Sequence, residues 1–79
     1  MRIVSEIPHP ACKITVFSWN SKYLLKLERD MLEQTYKVSE WEVSSADDLR
    51  KLLDEAFMSE VMKRFEEMEL SFHQALERI

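Results

Sequence analysis

The sequence contains no glycine and only one cysteine, Cys12. Without glycine there is no glycine-rich phosphate loop, and turns that need a positive φ angle must use Asn, Asp or Ser. A single cysteine excludes an internal disulfide and fits a reducing compartment. One cysteine and two histidines are too few for the usual structural zinc sites, so we expect neither a metal nor a cofactor.

Long apolar runs and a basic patch are missing as well. The N-terminal residues turn polar too early for a signal peptide, and no stretch is apolar enough to cross a membrane, so we expect a cytoplasmic protein. Residues 1–44 carry six acidic and six basic side chains, whereas residues 45–79 carry nine acidic and five basic ones. Nucleic-acid binding needs a basic surface to replace counterions, so we expect no nucleic-acid partner.

The hydrophobic pattern divides a single domain, residues 1–79, into two halves. Apolar side chains alternate with a period of two in the strand-rich half, residues 1–44, and recur three and four residues apart in the helical half, residues 45–79. Strands followed by helices predict an α+β fold: a three- or four-stranded antiparallel sheet with one or two C-terminal helices packed on one face.

A hairpin is the best-defined predicted element. Asn20-Ser21 suits a two-residue turn between strands 13–19 and 22–28, because Asn tolerates the left-handed conformation. The predicted cross-strand pairs run from Lys13–Glu28 through Val16–Leu25 to Trp19–Lys22. This register collects one apolar face, formed by Ile14, Val16, Tyr23, Leu25 and Leu27. A shift of one residue would mix polar and apolar side chains on both faces.

Two further strands are predicted, an edge strand at residues 2–7 and a third hairpin strand at residues 32–38, with a bulge or bend after it at Ser39-Glu40. For the turn before the third strand we prefer four residues, because that places Lys26 opposite Glu33. A two-residue turn would instead place two glutamates opposite each other.

The helical half begins near Ser44 or Ser45, and Ser59 is a candidate second N-cap, so we expect a helix break near Met58-Ser59. One long bent helix is the alternative. The apolar stripe of the last helix is Val61, Phe65, Met68, Phe72, Ala75 and Ile79. We expect this stripe to pack on the sheet, with a short coiled-coil seam as the alternative.

Two groups of residues are candidates for a functional site. The non-core sheet face carries Phe17, Trp19 and Leu24 among lysines, and an apolar cluster on a small protein is typical of an interface. A proline-flanked loop brings together His9 and Cys12, which have the chemistry for a polar site but lack further ligands or partners in the sequence.

Residues 7–20, 22–28 and 32–38, which read IPHPACKITVFSWN, KYLLKLE and LEQTYKV, resemble a group of short bacterial proteins of unknown function, known mainly through structural genomics. The resemblance extends over nearly the whole chain. It implies an α+β fold and brings no catalytic residues.

No catalytic motif is present, so we expect a non-enzymatic protein-interaction module that forms a homodimer or binds another protein. A chain of 79 residues has a thin core and no disulfide or metal to support it, which favours self-association. The alternative is a small-molecule-binding or enzymatic accessory protein that uses the His9–Cys12 loop.

Overall fold

A computed structural model of the protein describes all residues from 1 to 79 and has an α+β fold. The strands are β1 (Arg2–Ile7), β2 (Lys13–Trp19), β3 (Lys22–Arg29) and β4 (Leu32–Ser39), and the helices are α1 (Asp48–Leu52) and α2 (Glu55–Leu76). The four strands form one antiparallel sheet in chain order. The hydrophobic core lies between one face of this sheet and the helices, so the predicted fold class is confirmed with four strands.

The β2–β3 hairpin has the predicted register. Val16 pairs with Leu25 and Lys13 pairs with Glu28. Asn20 and Ser21 have φ angles of 53° and 61°, and positive values at both central positions are the mark of a type I′ turn. This turn type matches the twist of the strands, so the chain builds it from Asn and Ser in the absence of glycine.

The turn between β3 and β4 corrects the predicted four-residue loop. It has two central residues, Asp30 and Met31, and Asp30 takes the positive φ angle of 53°. Glu28 therefore lies opposite Glu33, and Lys26 lies opposite Thr35. The Nζ atom of Lys26 is 3.9 Å from Glu28 and 3.8 Å from Glu33. One lysine thus offsets the repulsion between the two glutamates, which removes the reason for a longer loop.

The two edges of the sheet differ in regularity. At β1 the pairing with β2 is interrupted by a bulge between Ile3 and Ser5. The register of β4 with β3 continues without interruption from Leu32 to Ser39. Beyond Ser39 the chain bends into a 3₁₀ turn at Glu40–Glu42, as predicted, and the Ser39 hydroxyl accepts a hydrogen bond from the Trp41 amide.

The helical half contains two helices, but the predicted break at Ser59 is wrong. The break lies at Leu53, whose ψ angle of 48° leaves the helical range, and Ser59 is inside α2. Asp54 is the N-cap of α2, because its Oδ1 atom accepts a hydrogen bond of 2.8 Å from the Phe57 amide. Neither serine caps α1: the Ser44 amide instead donates to Asp48 Oδ2. Neither helix has the combined length and apolarity needed to span a membrane.

The core is small and one-sided. It consists of Ile14, Val16, Leu25, Leu27, Leu49, Met58, Val61 and Phe65. Its four strand residues belong to the apolar face that the hairpin register predicts, and the fifth, Tyr23, is partly buried beside them.

A chain of polar contacts fixes α2 along β4. Gln34, which is buried, donates from Nε2 to the carbonyl oxygen of Val61 at 2.9 Å. The hydroxyl of Tyr36 donates to Gln34 Oε1 at 2.8 Å and accepts from Arg64 Nη1 at 3.2 Å. Every buried side-chain nitrogen and oxygen atom has a partner. The helix is therefore held at one position along the strand as well as buried.

Replacement of Leu25 by alanine should lower the free energy of unfolding by roughly 2–5 kcal/mol, because it removes a fully buried side chain. Urea denaturation at one fixed protein concentration measures the change. The exposed neighbour Lys22 is the control, and Lys22→Ala should stay within about 0.5 kcal/mol of the wild type. An unchanged midpoint for Leu25→Ala would mean that the face assignment is inverted.

Removal of the α2 cap by Asp54→Ala should lower the free energy of unfolding by about 1 kcal/mol, because the Phe57 amide loses its acceptor. The matched variant Ser59→Ala should be neutral or slightly stabilising, since Ser59 lies inside the helix. The reverse order of the two effects, measured by the same denaturation, would restore the break at Ser59.

Candidate functional site

The second half of α2 extends past the end of the sheet. The helix has 22 residues and is about 33 Å long, whereas the eight residues of β4 span about 26 Å. Val61 and Phe65 are fully buried, but Phe72 is 54% exposed and Ile79 is fully exposed. The predicted stripe is therefore covered by the sheet only over its first half. We call residues 69–76 of α2 the helix overhang.

A groove lies between the helix overhang and the β3–β4 turn. Its volume is about 310 Å³. The residues that line this end groove are Asp30, Met31, Leu32, Glu69, Phe72, His73 and Leu76. Glu69 is placed by contacts with Arg29 at 3.7 Å and His73 at 3.8 Å. The end groove therefore joins apolar side chains to a rim of charged ones, which is the usual composition of a protein contact surface.

Two large apolar side chains at opposite ends of β4 are largely exposed to solvent. Met31, in the turn before β4, is 95% exposed, and Trp41, in the 3₁₀ turn after it, is 85% exposed. Exposed aromatic and methionine side chains are enriched at protein interfaces. Sequence reasoning did not single out either residue as a candidate for an interface, although a methionine inside a predicted turn is a signal that could have been noticed.

The other sheet face presents less apolar surface than its sequence suggests. Leu24 is only 8% exposed, Phe17 is half-buried and Trp19 is 50% exposed. The Nζ atom of Lys26 lies 6.0 Å from the centre of the Phe17 ring, so the lysine covers part of this cluster. Of the three predicted interface residues, only Trp19 offers a large exposed surface.

The His9–Cys12 loop borders the largest hollow of the molecule, about 560 Å³ in volume and open to solvent. His9 and Cys12 both line it, together with Arg29 from β3. The Nδ1 atom of His9 accepts a hydrogen bond of 3.1 Å from the Ala11 amide, which stabilises the loop and occupies one ring nitrogen. No three His, Cys, Asp or Glu side chains lie close enough together to hold a metal ion.

Burial raises the pKa of the Cys12 thiol, and the positive charge of Arg29 offsets this only in part. A nucleophilic cysteine needs a lowered pKa, because the thiolate is the reactive form. The Cys12 side chain is partly buried against the hydrophobic core. The loop thus offers a surface hollow and an unactivated thiol.

Comparison with known proteins finds no match among family models, curated proteins or solved structures. The resemblance to short bacterial proteins stays a prediction.

Alkylation of Cys12 by iodoacetamide at pH 8 should be slower in the folded protein than in the urea-unfolded chain, because burial raises the thiol pKa. The folded state also holds the thiol proton more tightly, so this group should lower folding stability as the pH rises through its ordinary value. A cysteine peptide in the same urea concentration controls for the reagent. Faster alkylation of the folded protein would indicate an activated thiol.

Proposed function

We propose that this protein is a non-enzymatic interaction module that forms a twofold homodimer, with the end groove in the contact. The observation that carries the proposal is the helix overhang: the core-facing stripe of α2 continues beyond the sheet, with Phe72 half exposed. When a second surface covers an apolar stripe that has no sheet beneath it, apolar area is removed from water and the free energy of the assembly falls.

The thinness of the core supports a second copy as the covering surface. Only 11 of 79 residues are buried, and there is neither a disulfide nor a cluster of metal ligands to add stability. Small scaffolds of this kind are commonly stabilised by oligomerisation. The chain also carries a candidate complement to its own groove, since the Trp41 side chain is 85% exposed.

Symmetry favours a closed dimer. When a protruding residue and a groove lie at different places on one chain, a single contact between them leads to open polymers. A twofold arrangement forms two such contacts at once and leaves none free. It is the simplest assembly in which the groove and the protruding residue of both copies are occupied.

A second candidate function, small-molecule binding at the His9–Cys12 loop, is favoured by the hollow of about 560 Å³ beside it. The raised pKa of the thiol weighs against a nucleophilic role for Cys12. We therefore prefer the interaction module. The alkylation rate of Cys12 tests whether the His9–Cys12 loop could instead act as an enzyme with a nucleophilic thiol.

In sedimentation at micromolar concentration the wild type should run as a dimer, and Phe72→Glu should run as a monomer with unchanged helical content. Burying a carboxylate in an apolar contact costs several kcal/mol, which weakens a dimer by about a hundredfold or more. Because Phe72 is 54% exposed, the substitution leaves the internal core intact.

Trp19→Glu is the matched variant for the other sheet face, since Trp19 is 50% exposed. It should remain dimeric. A Trp19→Glu monomer together with a Phe72→Glu dimer would move the interface to the sheet face, and a monomeric wild type would contradict self-association altogether.

A further inference from the structure

We propose that the two copies pair through the free edge of β4, antiparallel about a twofold axis at Thr35, so that the two sheets become one. This inference rests on the proposed self-association and specifies its contact. It starts from the difference between the two edges of the sheet.

The β1 edge is protected in the ways that natural proteins use against edge pairing. It carries a bulge between Ile3 and Ser5 and is followed directly by Pro8. The β4 edge has neither device: its eight residues pair without a bulge and include no proline. A long regular edge of this kind is a template for another strand.

The backbone groups on that edge follow from the turn. A two-residue hairpin places Arg29 and Leu32 in a hydrogen-bonded pair, and such pairs alternate along antiparallel strands. The N–H and C=O groups of the intervening residues, Glu33, Thr35, Lys37 and Ser39, therefore point to the free edge. None of the hydrogen bonds outside the helices and strands involves these groups.

The side chains of β4 are self-complementary in one register. With the axis at Thr35, Glu33 of each copy lies opposite Lys37 of the other, and the two Thr35 side chains face each other. Glu33, Thr35 and Lys37 are all exposed and share the sheet face away from the helices. Opposite charges and paired threonines at facing positions stabilise antiparallel strands.

The neighbouring registers lack this match. An axis at Gln34 or Tyr36 places Glu33 opposite threonine or serine, and an axis at Glu33 or Lys37 places like charges opposite each other. On the helix side, the Thr35 axis sets Leu32 opposite Val38 and Gln34 opposite Tyr36. The preference for the Thr35 axis therefore comes from the charged face of β4, and the helix side is compatible with it.

The register also unites the β4 edge with the end groove. It places Ser39 of the second copy opposite Met31, so the 3₁₀ turn Glu40–Glu42 of that copy continues alongside the β3–β4 turn. Trp41 of the second copy is then beside the end groove, where Phe72 is half exposed. A buried indole removes roughly 150–250 Å² from water, and the symmetry provides this contact twice.

Charge exchange tests the register. Glu33→Lys alone and Lys37→Glu alone should each weaken the dimer about tenfold or more, because each places two like-charged pairs across the axis. An equimolar mixture of the two variants should recover the wild-type affinity as a heterodimer, since every pair in it joins opposite charges. Native mass spectrometry with one variant labelled with ¹⁵N measures the heterodimer, and a statistical or smaller share of it would overturn the register.

Thr35→Pro tests the edge itself. It removes an N–H group that points away from β3, and edge strands tolerate proline at such positions. It should convert the dimer into a folded monomer, whereas the matched variant Thr35→Val, which keeps the amide, should stay dimeric. If Thr35→Pro fails to fold, the mixture of Glu33→Lys and Lys37→Glu still tests whether the copies pair through β4.

The outcomes separate the two proposals. A monomeric wild type overturns both. A dimer that Phe72→Glu dissociates, but that Thr35→Pro and the charge-reversed variants leave unchanged, overturns the β4 pairing and keeps self-association through the end groove.

Discussion

The packing of the first half of α2 against one face of the sheet is the contact on which the rest of the structure depends. Phe65 and Val61 are fully buried there against strand residues such as Leu27. No other element covers the sheet over a comparable length, because α1 has only five residues and contributes Leu49. One helix thus provides most of the burial available to this chain.

The polar contacts between Gln34, Tyr36 and Arg64 determine where that helix lies. Apolar packing alone is non-directional and would tolerate sliding of α2 along the strands. The hydrogen bond from Gln34 to the Val61 carbonyl fixes the position of α2 along β4, because shifting the helix would leave a buried amide without a partner. Since the position of α2 along β4 is fixed and α2 is longer than the strands, the C-terminal end of the helix extends beyond them.

The sequence predicts the sheet better than the surfaces. The β2–β3 register follows from alternation around Asn20-Ser21, where local pattern and turn chemistry agree. For the β3–β4 turn the sequence predicts four residues, because that length pairs Lys26 with Glu33 and keeps Glu28 away from Glu33. The structure instead lets Lys26 contact both glutamates.

The helix overhang and the end groove cannot be predicted from local sequence patterns, because they depend on the position of α2 along the strands. The apolar stripe reads the same before and after Met68, and only the fixed position of the helix divides it into a covered and an uncovered half. The burial of Leu24, which is 8% exposed, is likewise not predicted by strand alternation, because alternation places this residue on the face away from the helices.

The order of the strands has a consequence for how this chain acquires its structure. Every strand pairs with the one next to it in sequence, through short connections, so no distant segments need to meet before the sheet exists. Loop closure is therefore inexpensive in entropy, and topologies of this kind fold quickly for their size. During synthesis the four strands leave the ribosome before α2 does, so the apolar face of the sheet stays exposed to water until α2 has been synthesised and can cover it.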